Sequence, residues 1–219
     1  MATDTLTPFL DWLDRHFSVG LPLVRFARNT VLLSLIGLAP ALALYIALIP
    51  GFFSHLYGTE GALAGLTRQI LTNGLPVVFV VNAFGLSLFA QLRAERIRPE
   101  VVLAADMAAR IGAFIALHVL IYPASALMFG SFGGDPLLAL RVVGPTLAQA
   151  ATFGNLSGVY LYATLVSALP LHMVLVGAAL RRSGYRDPSL ANLTLLALAV
   201  FGLQALLLTA AAMLLGVIV

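Results

Sequence analysis

Asp106 and Arg110 stand four residues apart in a long apolar stretch of this chain, a spacing that puts both side chains on one face of a helix. Near a membrane edge, an acid and a base so placed would act either as a gate or ion-pathway pair, or as a salt bridge at headgroup depth that anchors the helix. Two histidines lie deeper. At a helical rise of about 1.5 Å per residue, His118 is about 12 Å beyond Arg110 and His172 is about 13–14 Å from Arg181. Asn82, about 16 Å from Arg93 by the same measure, falls in nearly the same layer. A polar layer near the bilayer midplane is where transporter sites form. Two imidazoles at equal depth could alternatively hold a b-type haem between them. As a third reading, each polar group hydrogen-bonds a neighbouring helix and serves as interhelical glue. Gln204 is open to the same readings, pathway or glue.

Gly154 and Gly158 form a small-residue spacing that would let another helix pack closely. The sharper alternative for this stretch is a half-helix N-terminus aimed at an anionic group. Other site chemistry is excluded by composition. The chain has no cysteine, which removes disulfides, thiolate catalysis, zinc-thiolate sites and iron–sulfur ligation. All 12 basic side chains counted as Lys or Arg are arginine, so no lysine is present to form a Schiff base with retinal or pyridoxal phosphate. No phosphate-binding glycine loop, metalloprotease helix, Gly-x-Ser-x-Gly elbow or carboxylate cluster occurs, and no catalytic residue, metal site or cofactor is expected. The net charge of +3 is no nucleic-acid footprint, because the arginines sit at the edges of apolar stretches and form no basic face.

The elements that must position these groups are helices in lipid. The chain is 61% hydrophobic and only 10% charged over 219 residues, and a water-soluble fold of that size could not hide so much apolar surface. The pattern predicts an all-α, polytopic membrane bundle forming a single transmembrane domain over 1–219. Its spans fall at about 30–49, 72–92, 110–129, 154–180 and 190–219. Each is long enough for a hydrocarbon core of roughly 30 Å. Residues 1–20 read as an interfacial amphipathic helix, with Thr7 able to cap it, Pro8 suited to its first turn and Trp12 suited to the headgroups. The acids that open it are unlike the basic start of a cleavable signal peptide. Residues 137–152 are apolar and helical in pattern but short, and they carry Arg141 and Pro145. They read as a re-entrant or interfacial helix.

Arginine placement sets the orientation. With five spans and a cytoplasmic N-terminus, ten arginines (15, 25, 28, 93, 96, 98, 110, 181, 182 and 186) fall inside, and two, Arg68 and Arg141, fall outside. Making 137–152 a sixth span would give seven to five, a much weaker positive-inside bias. The expected location is a bacterial-type cytoplasmic (inner) membrane, with the C-terminus external. The bilayer is the first partner; other membrane subunits or a second copy of the chain are further ones. Five spans, an inside N-terminus and an arginine-edged loop resemble the general layout of Yip1-type membrane proteins, which implies a scaffold, assembly or trafficking role. The proline-broken helices and midplane polar residues point first to transport: a small carrier, a channel or the membrane subunit of a transporter. A redox subunit using His118 and His172 is a third reading. Reporter fusions after Gly58 and at the C-terminus should read external, and one after Ser183 cytoplasmic. A cytoplasmic C-terminal reading would mean that 137–152 crosses the membrane.

Overall fold

A computed structural model describes residues 6–185 and 188–218, so Arg186 and residues 1–5 of the expected interfacial segment lie outside the described residues. The helices, in chain order, are α1 (Thr7–Phe17), α2 (Leu23–Leu48), α3 (Phe52–Gly58), α4 (Ala62–Gln69), α5 (Leu75–Ala94), α6 (Pro99–Phe129), α7 (Pro136–Arg141), α8 (Val143–Ala151), α9 (Leu156–Arg182) and α10 (Leu190–Ile218). A π-helical turn, Ile70–Gly74, joins α4 to α5, so Ala62–Ala94 runs as one long apolar helix. No strand occurs among the described residues. Among the described residues five helices are long and apolar enough to cross a membrane, and the protein is an all-α membrane bundle.

The spans alternate in direction. Arg93 at the end of α5 meets Asp14 of α1 at 2.8 Å, and Leu6, Val176 of α9 and Leu193 of α10 form one small core, so these segments share one end of the bundle. The opposite end gathers Leu56, Leu66, Val143, Leu147, Leu208 and Ala212. The first end holds Arg93, Arg96, Arg98, Arg181 and Arg182 and is called here the arginine end.

α9 is the hub. In its most apolar window 61% of residues are buried, against 17–39% for the other four spans, so it runs through the middle of the others. Its approach to α2 depends on small residues. A Cβ on Gly37 would run into Ser167 Oγ and the Ala163 carbonyl, and Ser167 Oγ donates to Leu33 O at 3.2 Å. Such contact lets backbones pack without the hydrophobic drive that lipid removes.

Four expectations are corrected by the structure. The helix carrying Asp106 starts at Pro99, not near Arg110, because Arg98 and Pro99 end the preceding loop and the residues that follow keep helical order. Arg110 is therefore about 16 Å along that helix instead of at its mouth. Residues 137–152 form two short helices rather than one. Asp135 caps α7 by accepting from the Leu137 and Leu138 amides at 2.8 and 3.2 Å. α8 buries Leu147 and Ala150 completely and packs on α9 and α10. Asn155 caps α9 through the Gly158 amide at 3.0 Å and donates to Thr146 O at 3.0 Å, which ties α8 back to the end from which α6 left it. Third, Gly154 lies outside α9 and is exposed, while Gly158 faces α8: a Cβ there would stand 2.8 Å from Ala150 O. The pair therefore does not mark one face of a helix. Fourth, α1 opens at Thr7 with Leu6, not Thr7, in the capping position.

α1 turns its apolar side to the bundle and not to lipid. Leu13 and Phe17 are each 2% exposed and join Leu86, Phe89, Leu171, Val174 and Leu175 in one core. Trp12 stacks on His16 at 5.1 Å beside this core. Burying such side chains is worth about 1.5–3 kcal/mol each, enough to dock an eleven-residue helix that could not hold itself together alone. Phe17→Ala should lower the unfolding free energy of the purified protein by about 3 kcal/mol while leaving insertion intact. A loss of insertion, read by membrane fractionation, would show that α1 does more than brace the finished bundle.

Candidate functional site

Polar side chains gather in two places along the inner faces of α6 and α9. The first is a charged network nearer the arginine end. Asp106 and Arg110 are 0% and 1% exposed and form an ion pair, with Arg110 Nε donating to Asp106 Oδ2 at 2.8 Å. His172 Nε2 lies 2.8 Å from the same carboxylate oxygen. On its other side, Arg110 Nη1 donates to Asn82 Oδ1 at 2.6 Å. Asn82 Nδ2 then donates to Ser34 Oγ at 2.9 Å, and Ser34 Oγ donates to Thr30 O at 2.8 Å. The chain of bonds thus runs from α2 through α5 and α6 to α9, and every side chain in it is buried.

Charge and shape explain why this arrangement is tolerated. One carboxylate and one guanidinium cancel, and each is held by hydrogen bonds, the condition under which a buried pair survives removal from water. An ionised carboxylate only accepts, so the bond to Asp106 requires the proton on Nε2 of His172. Gly85 makes room. A Cβ at that position would lie 2.8 Å from Asp106 Oδ1 and 2.9 Å from Arg110 Cζ.

The second place is a cavity of about 710 Å³ toward the other end. It lies among the π-helical turn, α5, α6, α8 and the start of α9, and its walls include Gln69, Asn73, His118, Asn155, Ser157 and Tyr160. No Asp, Glu or Arg lines it. His118 Nδ1 is 2.9 Å from Phe114 O, and Nε2 is 3.3 Å from Ser157 Oγ. Tyr160 is 6% exposed, and its hydroxyl has no partner among the described residues. Its ring packs on Gly74, where a Cβ would strike Tyr160 Cε1. Gln69, Thr72 and Asn73 on the rim are exposed.

An apolar layer separates the two. On α6, Phe114 stands one turn from Arg110 and one turn from His118 and is fully buried; on α5, Val78 has the same relation to Asn82. Leu38, Ala41, Val81 and Leu161 complete the layer.

The residues singled out from the sequence therefore divide. Asn82, Asp106, Arg110 and His172 are brought together. His118 belongs to the cavity, about 12 Å along α6 from Arg110. Gln204 is fully buried on α10, outside both constellations, and its amide atoms have no partner among the described residues. Depth alone had grouped His118 with His172, but one imidazole is taken by Asp106 and the other by Ser157 and a backbone carbonyl. That engagement does not fit a pair of axial haem ligands. Among the described residues, no group of three or more His, Cys, Asp or Glu could hold a metal. The expected headgroup-depth salt bridge between Asp106 and Arg110 is instead a buried one. Sequence reasoning missed Ser34 and Gly85. Thr30, Ser34 and Gly37 recur at helical spacing in an otherwise apolar span, a small polar stripe that was the available signal.

No protein-family model matches the chain, and no curated protein or solved structure matches it either. The site must be judged on its own chemistry. Asp106→Asn should cost about 3–5 kcal/mol, because it leaves the Arg110 charge buried without a counter-charge. Replacing both partners, Asp106→Leu with Arg110→Met, should recover much of that loss in the same unfolding measurement. A double variant as unstable as the single one would mean that the charges themselves are needed for packing.

Proposed function

We propose that this protein is a small-solute carrier of a cytoplasmic (inner) membrane, with its N-terminus inside, and that its solute is neutral and rich in hydrogen-bonding groups. The observation that carries this reading is the cavity of about 710 Å³, mostly apolar on its walls but with several amide, hydroxyl and imidazole groups converging on it, and set off from the charged network by an apolar layer. That volume lies within the usual range of roughly 300–1,000 Å³ for small-molecule sites. Its walls present amides, hydroxyls and an imidazole, and no carboxylate or guanidinium to bind an ion. Tyr160 lines the cavity, and its buried hydroxyl, unpartnered among the described residues, is a donor and acceptor that a solute would satisfy once the wall around it shifts.

The closed floor favours a carrier over an open channel. The cavity is bordered by exposed Gln69, Thr72, Asn73, Pro76, Val80 and Ile121, while Phe114, Val78, Leu38 and Leu161 form buried core between it and the charged network. Alternating access requires such a layer to give way on one side as the other closes. The π-helical turn and the prolines inside α2, α6 and α9, at Pro40, Pro123 and Pro170, are places where a span can bend.

Stopped-flow swelling of proteoliposomes in glycerol, erythritol, sorbitol, glucose or urea tests this. At least one of these should enter faster than into protein-free vesicles, and Tyr160→Phe or His118→Phe should slow it at least about tenfold, the cost of about 1.4 kcal/mol in one lost polar contact. Rates equal to those of protein-free vesicles for every solute would overturn the carrier reading and favour a scaffold that acts through partner chains.

A further inference from the structure

Asp106 Oδ2 takes two donors, Arg110 Nε and His172 Nε2, each at 2.8 Å. The cations or potential cations on either side are therefore no farther apart than twice that distance. Three polar atoms of this network have no hydrogen-bond partner among the described residues: Asp106 Oδ1, Arg110 Nη2 and His172 Nδ1. With Nε2–H given to the carboxylate, Nδ1 carries the lone pair of a neutral imidazole. It is a basic atom with nothing bonded to it.

We propose that His172 is a proton-binding site and that the proton taken on Nδ1 unlocks the four-helix network. In the closed state the network is neutral, with Arg110 positive, Asp106 negative and His172 uncharged. Protonation of Nδ1 puts two cations on one carboxylate oxygen in an apolar interior, an arrangement that like-charge repulsion and desolvation both disfavour. The vacant Oδ1 offers the relief. Arg110 can move onto it and leave Oδ2 to the imidazolium, but the move draws the guanidinium off Asn82. Asn82 is the link to Ser34, so the bond chain from α6 to α2 opens at that point. Gly85 lies against both Oδ1 and the guanidinium, so no side chain stands between the two groups that this movement brings together.

Among the described residues, no other ionisable group bonds to Asp106 or His172. α6 contributes Asp106 and Arg110; α2 and α5 contribute Ser34 and Asn82, which do not titrate. α1 offers Leu13 and Phe17 to the core beside His172, while Asp11, Asp14 and Arg15 are exposed and His16 bonds Trp12 O. α8 has no ionisable side chain, and α10 has none from Leu190 to Leu214. The inference does not depend on what the cavity takes.

The test uses the full chain in lipid nanodiscs, with ¹⁵N-histidine and spin labels at Val24→Cys in α2 and Val101→Cys in α6. Both positions are exposed, and no native cysteine interferes. His172→Gln assigns the His172 signals and keeps a donor for Asp106. If that variant fails to insert, His16→Gln, His55→Gln and His118→Gln assign them by elimination. As the pH is lowered from about 8, the ¹⁵N signals of His172 should pass from those of the Nε2–H tautomer to those of the imidazolium. Over the same range the α2–α6 label distance should lengthen by several ångströms in the wild type. A His172 that keeps its Nδ1 lone pair throughout would overturn the proposal. So would a His172 that protonates while the label distance stays constant, or a distance change equally large in an inserted His172→Gln protein.

Discussion

A single carboxylate oxygen, Oδ2 of Asp106, receives donors from two helices in the buried interior of the bundle. In lipid, helices are not driven together by apolar burial, because the tails are as apolar as the side chains. What distinguishes one packing from another is then close fit and the satisfaction of polar groups. Asp106 forces α6 and α9 into one register. Arg110 extends the demand to α5, and Asn82 extends it to α2. Each step leaves a heavy penalty for any other arrangement, since breaking it strands a charge or an amide among aliphatic side chains. The small residues serve the same end: Gly85 and Gly37 let the backbones approach to the distance these bonds require.

That constraint also divides the molecule into functional depths. The network closes the bundle toward the arginine end. Phe114, Val78 and their neighbours form an apolar layer above it, and the helices separate beyond that layer to leave the cavity. α6 carries all three regions on one face, through Arg110, Phe114 and His118 in successive turns. A tilt or rotation of that one helix would be felt at the charged network and in the cavity together. The short helix α8 and the capping of α9 by Asn155, which also bonds Thr146 of α8, hold the cavity's wall in place.

Much was legible in the chain before any fold was known. Five apolar stretches, a shortage of charge and an alternation of arginine-rich and arginine-poor loops determine a membrane bundle, because hydrocarbon admits helices and excludes most charge. The spacing of Asp106 and Arg110 determines their pairing, since four residues are about one turn. Depth estimates placed Asn82 and His172 well inside the spans, where each proves fully buried.

Only the tertiary structure decided which of these groups meet. Rise per residue gives depth along a helix but not the rotation of that helix about its own axis, and a span that is apolar on every side carries no sequence signal for the face it turns inward. Hence His118 and His172, given equal depth when Arg110 is taken as the mouth of its helix, lie at different levels: α6 starts at Pro99, and His172 meets Asp106 about three turns from His118. The true start of α6 at Pro99 was hidden for a related reason. Residues 99–109 are largely apolar, but Glu100, Asp106 and the following Arg110 put charges into the first turns, and so they resemble a loop flank until partners on α5 and α9 are in place to bury Asp106. The roles of Ser34 and Gly85 were out of reach as well, because a hydroxyl or a missing side chain acquires meaning only from the neighbour that approaches it.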